Sequence, residues 1–463
     1  MSARSGVLVV TCASTLVVNA NTSAVSILLP AIGEDVGVGP STLRWAVTGY
    51  SLVGAAVIVT GGVLGDIAGR RRVFAGALGL FVVSCVLIAL ARTGAGVIAG
   101  RLLQGAAGST LVACGLSLLT VATSGPAQVR AVSLWGAASA VGAAAGPLAG
   151  GALAGSIGWQ ALFWIDAAIA AACVPLTVRT VAESRDPDRP RAIDFAGLLL
   201  LAGVLVPFVL ALGEGPDWGW TSAATLGCFA VSAASLAGFA AVERRVRAPL
   251  VEPRLLRNRV LVAATAAILI VAGALNGLMY VLSLYFQDPA GLAMSPLAAG
   301  LATLPAAAGL VVVAPFVGPL ATRFGTRTVV TAGFALTTAG FALLATRSGY
   351  AGLVLPLLAI AVGMGFANGC ASSAATAAVP VNEAGAASGI SNMARYVGAA
   401  LLVAATATSY GTAGFARSAL VLAAVSALGI VLALCYGRHR PPPSGAANRV
   451  AAAAGVAHTI PGS

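Results

Sequence analysis

Gly62-Val63-Leu64-Gly65-Asp66-Ile67-Ala68-Gly69-Arg70-Arg71-Arg72 decides how this chain of 463 residues is read. The stretch lies between two long apolar runs. One acid and three successive arginines are too costly to place in hydrocarbon, so they mark a membrane–water boundary. The glycines permit a tight turn where two helices approach closely. Clustered arginines stay on the cytoplasmic side, which orients the neighbouring spans. Half a chain later the stretch returns in reduced form as Gly318-Pro319-Leu320-Ala321-Thr322-Arg323-Phe324-Gly325-Thr326-Arg327. Gly62 and Gly318, Leu64 and Leu320, Gly69 and Gly325, and Arg71 and Arg327 keep the same spacing, while Thr322 stands in place of Asp66. A boundary loop that occurs twice implies two related halves.

Outward from this loop, composition agrees with a bilayer protein. The chain is 59% hydrophobic and 9% charged, with a mean hydropathy of +0.97. A soluble domain carries about 25% charge. Short alternating strands are absent, which argues against a transmembrane barrel. The net charge of +12 suggests a nucleic-acid partner until the basic residues are placed. All 26 are arginine. Arg101 and Arg395 fall well within apolar spans, Arg44, Arg92 and Arg347 fall in external segments, Arg417 falls at the external end of span fourteen, and the others are cytoplasmic. That bias is the positive-inside rule and needs no nucleic acid. The seven cysteines lie in apolar runs without metal-ligand spacing and read as small buried hydrophobes.

Hydropathy gives about 14 spans of about 20 residues each. The first begins near Val7 and is too long for a signal peptide, so it reads as a retained span. The boundary loop follows span two and its copy follows span ten. Six-span halves therefore occupy residues 1–178 and 260–437. Residues 179–259 hold two polar linkers and an inserted pair, spans seven (Phe195 to Leu212) and eight (Thr221 to Val242). Span ten runs from Pro296 to Ala321, thirteen from Gly385 to Thr408, and fourteen from Ala416 to Tyr436. Residues 438–463, rich in Pro, Ala and Gly, read as a disordered cytoplasmic tail. Both termini are then cytoplasmic. Parallel six-span halves are a recurring transporter design with a binding cavity between them at the midplane.

Three stretches carry a resemblance. The Gly62–Arg72 loop resembles the signature loop between helices two and three of the major facilitator superfamily. Arg101-Leu102-Leu103-Gln104-Gly105 resembles that superfamily's RxxQG element. Gly142-Ala-Ala-Ala-Gly146-Pro147-Leu-Ala-Gly150-Gly151, in span five, resembles the antiporter motif associated with its exporters. With the inserted pair, the chain up to about residue 437 is similar to the 14-helix drug/proton antiporter family (EmrB/QacA type). The resemblance implies an all-α integral membrane protein, two six-helix bundles plus two inserted helices, in the cytoplasmic membrane. It implies a monomer that exports small amphipathic compounds, drugs or antibiotics among them, against protons. Its partners are the lipid bilayer, the small-molecule substrate and protons, with no cofactor and no metal. It implies a part for Arg101, with Gln104, in proton transfer.

The residues admit physical readings of their own. Asp66 can hold a helix N-terminus or pair with Arg70 or Arg71, latching one state, or the loop is a topology anchor only. Gly142, Gly146 and Gly150 lie on one helical face beside Pro147, for tight packing or as a hinge. Arg101 needs a partner or water, or snorkels to the membrane surface. Thr11, Thr15, Asn19, Thr22 and Ser26 form a polar stripe in span one within about 80°. Asn276 adds a polar group to span nine. Asn368, Ser372 and Thr376 form a stripe in span twelve, and Ser388, Ser391, Asn392 and Arg395 another in span thirteen. Such stripes line a cavity or bond helix to helix. For substrate contact the candidates are Asn19, Thr22, Ser26, Asn276, Asn368, Ser372, Asn392 and Arg395.

One departure from the family pattern bears on coupling. The family commonly has an Asp in helix one, where this chain has Asn21. Asn does not take up and release a proton at physiological pH. Asp166, early in span six, is the one acid near a span interior, and titrates there if buried or sits at the interface. Few buried acids leave little to attract a cation, so a neutral or weakly amphipathic compound fits the cavity better. Trp45, Tyr50, Tyr280 and Phe286 are candidates to stack on it or to pack at the interface. No GxxxxGK[ST] stretch is present, which disfavours a self-contained ATP pump. His439 and His458 both lie in the tail, and no catalytic or metal constellation supports an enzyme. The alternatives are a transport-deficient membrane sensor and a pH-independent facilitator.

Overall fold

The structure, a computed structural model, describes residues 3–123, 125–185, 194–246, 249–251, 254–379 and 384–434. The expected tail at 438–463 lies outside the described residues, as does Cys435. Hydrocarbon offers no hydrogen bonds, so each apolar run satisfies its own backbone as a helix. The helices are α1 (Ala3–Val36), α2 (Pro40–Ala68), α3 (Arg70–Ala89), α4 (Gly94–Ala122), α5 (Gly125–Ala154), α6 (Gln160–Thr180) and α7 (Phe195–Trp218). They continue as α8 (Ala223–Glu243), α9 (Arg259–Gln287), α10 (Pro296–Ala302), α11 (Leu304–Phe324), α12 (Thr326–Leu344), α13 (Tyr350–Ala377) and α14 (Ala384–Leu434).

Among the described residues 12 helices are long and apolar enough to cross a membrane. Two local events restore the expected fourteen crossings. Span ten, read as one helix, is broken at Thr303 into α10 and α11. Pro305, in the first turn of α11, has no N–H to continue the helix. The long α14 holds non-helical backbone at Ala413 and Gly414, with φ of +75° at Gly414, and so crosses twice. The repeated loop is a repeated turn. Gly69, at φ +117°, separates α2 from α3, and Gly325, at φ +83°, separates α11 from α12.

The helices gather around two cores. One is built mainly from α1, α3, α4 and α6, the other mainly from α9, α12, α13 and α14. The inserted α7 and α8 pack on each other, and α7 also rests on both halves. Arg44 of α2 donates to the Gly213 carbonyl at 2.9 Å and pairs with Glu214. Thr408 of α14 donates to the Leu212 carbonyl at 2.9 Å.

The halves meet along α2 and α14, where the Tyr396 ring lies on Gly54, and through α1, α5, α9 and α10 toward the end opposite the arginine-rich loops. Ser283 of α9 donates to the Ser26 carbonyl of α1, and Gln287 donates to the Ile27 carbonyl at 3.0 Å. A Cβ on Gly151 of α5 would stand 2.3 Å from the Pro296 carbonyl, and one on Gly300 of α10 would stand 2.4 Å from the Pro147 carbonyl. Only glycine allows this approach of backbone to backbone.

Candidate functional site

Arg101, in α4, is fully buried. This overturns the snorkelling reading. An isolated guanidinium there would be very costly, and the chain meets that cost with directed polar groups. Arg101 Nε donates to the Ala46 carbonyl of α2 at 2.9 Å. Its Nη1 donates to Asn21 Oδ1 at 2.7 Å and to Gln104 Oε1 at 2.5 Å. The Tyr50 ring lies against its other side, 4.3 Å from guanidinium carbon to ring centre, a cation–π contact. Gln104 donates onward to Cys85 Sγ at 3.1 Å.

The Asn21 amide continues the path, its Nδ2 donating to Asp166 Oδ2 of α6 at 2.7 Å. The amide has one orientation that serves both neighbours, oxygen toward the guanidinium and nitrogen toward the carboxylate. Asn21 is 1% exposed and Asp166 4%. The interfacial alternative for Asp166 is therefore overturned. Arg101 and Asp166 lie a similar number of residues into their helices from the same end, roughly 10 Å down at ~1.5 Å per residue. A cation, a neutral relay and an acid thus form one buried line across α4, α1 and α6. Span one carries an amide at this point, and the nearest acid stands one hydrogen bond away in α6.

The RxxQG spacing follows from the same packing. Arg101 and Gln104, three residues apart, share one face of α4 and bond each other. Gly105 turns its bare Cα to α2, where a Cβ would stand 2.3 Å from the Tyr50 carbonyl. In span five the glycine face packs on α1. A Cβ on Gly142 would meet the Leu16 carbonyl at 2.3 Å, and one on Gly146 would meet Ser23 Oγ at 2.0 Å. A Cβ on Gly150 would meet Ala24 at 3.1 Å. The second half uses the same device with the glycines redistributed: a Cβ on Gly273 of α9 would stand 2.5 Å from the Gly398 carbonyl, and one on Gly398 of α14 would stand 2.1 Å from the Leu269 carbonyl. Sequence reading missed these, because the residues are scattered over two helices and form no run.

Helix α1 therefore presents three faces. Asn21 looks to α4 and α6, Ala20 and Ala24 lie on α5, and the stripe holding Asn19 and Ser26 looks toward α9. Thr11, Thr15 and Ser26 are buried, while Asn19 and Thr22 are half-buried. Ser26 is sealed at the contact between halves, so in this conformation it does not line a cavity. Asn19 and Asn276 are each seven residues from that contact, on the same faces as Ser26 and Ser283, and both are half-buried. Their amides donate to Thr15 and Ala272 carbonyls of their own helices, each at 2.8 Å. Thr22 likewise donates to the Val18 carbonyl at 2.7 Å. In the second half Arg395 donates to Asn368 Oδ1 at 2.9 Å and to Ser372 Oγ at 2.8 Å. Asn392 is half-buried one turn away. Tyr50, Tyr280 and Phe286 are buried packing groups, and Trp45 is half-buried.

At the arginine-rich end Asp66 pairs with Arg70, Oδ1 to Nη2 at 2.8 Å. The loop docks on Glu183, just past α6, a residue that sequence reading did not single out. Glu183 Oε1 accepts from the Arg71 backbone N–H at 3.1 Å, and Oε2 lies 3.8 Å from Arg71 and 3.6 Å from Arg72. A Cβ on Gly69 would meet this carboxylate at 2.7 Å. Replacing Glu183 with Gln should cost about 0.5–1 kcal/mol, the value of a partly exposed ion-pair cluster. The measurement is hydrogen exchange at the Arg70–Arg72 amides, expected to quicken; unchanged exchange would show that the loop holds without Glu183. In the second copy Thr322 bonds its own helix at 2.8 Å and Arg323 lies over the Phe324 ring, with no acid in the stretch.

Comparison with known proteins agrees with this fold. A family profile described as Major Facilitator Superfamily matches residues 11–403. The chain is 30% identical over 400 residues to the tetracenomycin C resistance and export protein of Streptomyces glaucescens, covering 86% of this chain and 72% of that protein. It is 31% identical over 417 residues to the cephamycin export protein CmcT of Amycolatopsis lactamdurans, covering 88% of this chain and 85% of that protein. Among solved structures it resembles a POT family transporter in complex with 5-aminolevulinic acid. That match has a TM-score of 0.69 at 11% identity and covers 92% of this chain and 94% of the other, a likeness of fold.

Proposed function

The chain belongs to the Major Facilitator Superfamily, and from that membership we propose that it is a proton-coupled exporter of small amphipathic compounds, antibiotics among them, acting by alternating access. Its relatives named for tetracenomycin C and cephamycin export support the substrate class. It acts as a carrier and not an enzyme. The halves at 1–178 and 260–437 rock about the cleft between α1 and α9. The inserted region at 179–259 rests on both, with both termini cytoplasmic. On this reading the arginine-rich end is cytoplasmic, and the conformation described is closed to the outside.

The observation that carries the coupling is the buried line Arg101–Asn21–Asp166. Asp166 takes up and releases the proton, which Asn21 cannot do. With Asp166 ionised, the guanidinium has its counter-charge through the Asn21 amide. With Asp166 protonated, Arg101 is a buried cation without one, and the packing of α1 between α4 and α6 loses its electrostatic reason. Because α1 shows Asn21 to one side and Asn19 to the other, a change in its packing at the proton site reaches the cleft. Protonation then biases two arrangements of one helix, which is what coupling requires.

Reconstitution in liposomes with an imposed pH gradient tests this. Gradient-driven movement of an amphipathic fluorescent compound is expected, and Arg101→Ala should abolish it. Flux indifferent to pH would point to the facilitator. Tight binding without flux under any gradient would point to the sensor.

A further inference from the structure

Two arginines lie deep within spans, Arg101 fully buried and Arg395 half-buried, and their surroundings differ. Arg101 has a carboxylate one amide away. Arg395 has none: among the described residues no Asp or Glu oxygen lies within ion-pair distance of it. Its two contacts, Asn368 Oδ1 and Ser372 Oγ, are neutral and leave more than half of the guanidinium N–H groups without a partner among the described residues. It is eleven residues into α14, about 16 Å from the arginine-rich end and near mid-membrane. A guanidinium at that depth carries no local counter-charge.

Helix rotation says where it faces. At about 100° per residue, three neighbours account for most of the circumference of α14 at this level. Gly398 lies on α9, where its Cβ would meet the Leu269 carbonyl at 2.1 Å. Tyr396 lies on Gly54 of α2, its ring 2.6 Å from where a Gly54 Cβ would be. Ala400 and Ala404 pack in the cluster with Leu201, Leu205 and Val209 of α7. Ser388, Asn392 and Arg395 occupy an arc of roughly 60° between the α9 and α2 directions. Since α9 meets α1 and α2 belongs to the other half, that arc opens on the cleft between halves. All three residues are half-buried. Asn368 and Ser372 hold the guanidinium from α13, so its planar fork is fixed before anything binds.

We propose that Arg395, positioned by Asn368 and Ser372, is the seat for the carboxylate of the transported compound, so that the substrates of this chain are amphipathic acids. The proposal rests on the exporter reading and names the substrate class of its cleft. A planar guanidinium takes a carboxylate through two parallel hydrogen bonds, and at a water-poor site this is its strongest neutral combination. The absence of acids that disfavours a cation in the cleft acts in the same direction. An acid leaving in exchange for an entering proton also moves charge in the direction that an inside-negative membrane potential drives.

Two probes separate the charge from the rest of the molecule: dansylglycine, with a carboxylate, and dansylglycinamide, its neutral carboxamide. Fluorescence titration of the purified full chain should show dansylglycine bound about tenfold or more tighter. Arg395→Gln should erase the difference by weakening dansylglycine alone, and Arg395→Lys should retain part of it. Equal affinities in the unaltered chain, no binding of either probe, or an equal loss for both in Arg395→Gln would overturn the proposal. Flux of both probes under a pH gradient keeps the two readings apart. Preference in binding with no flux would sink the exporter and leave the seat standing. Flux of both probes without preference would do the reverse.

Discussion

Replacing Asp166 with Asn should reduce gradient-driven transport to the leak of protein-free vesicles while the protein still folds. The substitution keeps size but removes the one carboxyl in the buried line, the group to which the proposal gives the proton. The informative variant is the double change Asn21→Asp with Asp166→Asn. It moves the carboxylate one hydrogen bond closer to Arg101, which already donates to position 21 at 2.7 Å. The line keeps one cation and one acid, so buried charge stays balanced. Gradient-driven transport should return in the double variant and stay absent in Asp166→Asn alone. Asn21→Asp alone places two acids around one guanidinium and should alter the pH profile of transport. Full activity in Asp166→Asn would end the assignment of that carboxyl as proton carrier. A double variant that folds but stays inactive would show that coupling needs the acid on α6 and that the two positions are not interchangeable.

Substitution of Gly146 should produce a large loss of stability. A Cβ there would stand 2.0 Å from Ser23 Oγ and 2.3 Å from the Ala20 carbonyl. The serine hydroxyl can rotate, but the carbonyl belongs to the backbone of α1 and cannot yield without moving the helix. Overpacking of this kind costs about 1–3 kcal/mol for a small addition and more for a large one. Gly146→Ala should lower the Tm of the purified protein by several degrees, and Gly146→Leu should yield no folded protein. Gly136 in the same helix is the control. A Cβ there meets nothing within 4 Å, so Gly136→Ala should leave Tm unchanged or slightly raised. Equal tolerance at both positions would mean that α5 does not need its glycine face against α1. A motif named for transport is, at this position, a requirement of packing. Any hinge action at Pro147 operates within that constraint.

Much of this architecture is legible along the chain. Spans follow from hydropathy because the transfer of each segment into hydrocarbon depends on that segment alone. The two halves are legible from the boundary loop because Gly69 and Gly325 both require a left-handed turn between helices. The Arg101–Gln104–Gly105 and Gly142–Gly146–Gly150 spacings are visible as faces of single helices. The break at Thr303 was missed, although Pro305 was its signal. Glu183 was missed because a lone acid in a polar linker looks like any other until the Arg71 and Arg72 side chains are beside it.

The sequence by itself determined that this chain crosses a bilayer many times, in two related halves, with a few polar groups held inside. Which of those groups meet was decided only by tertiary structure. Asn21 and Asp166 are separated by 145 residues, and nothing local says that they share a hydrogen bond. Hydrophobic patterning sets how deep a residue lies, because water and hydrocarbon differ along one axis. Rotation of each helix, and so the partner a side chain finds, is set by close packing of small residues from distant segments. That is why the acid absent from span one could be noticed in the chain, while the line that restores it appeared only when α1, α4 and α6 were packed together.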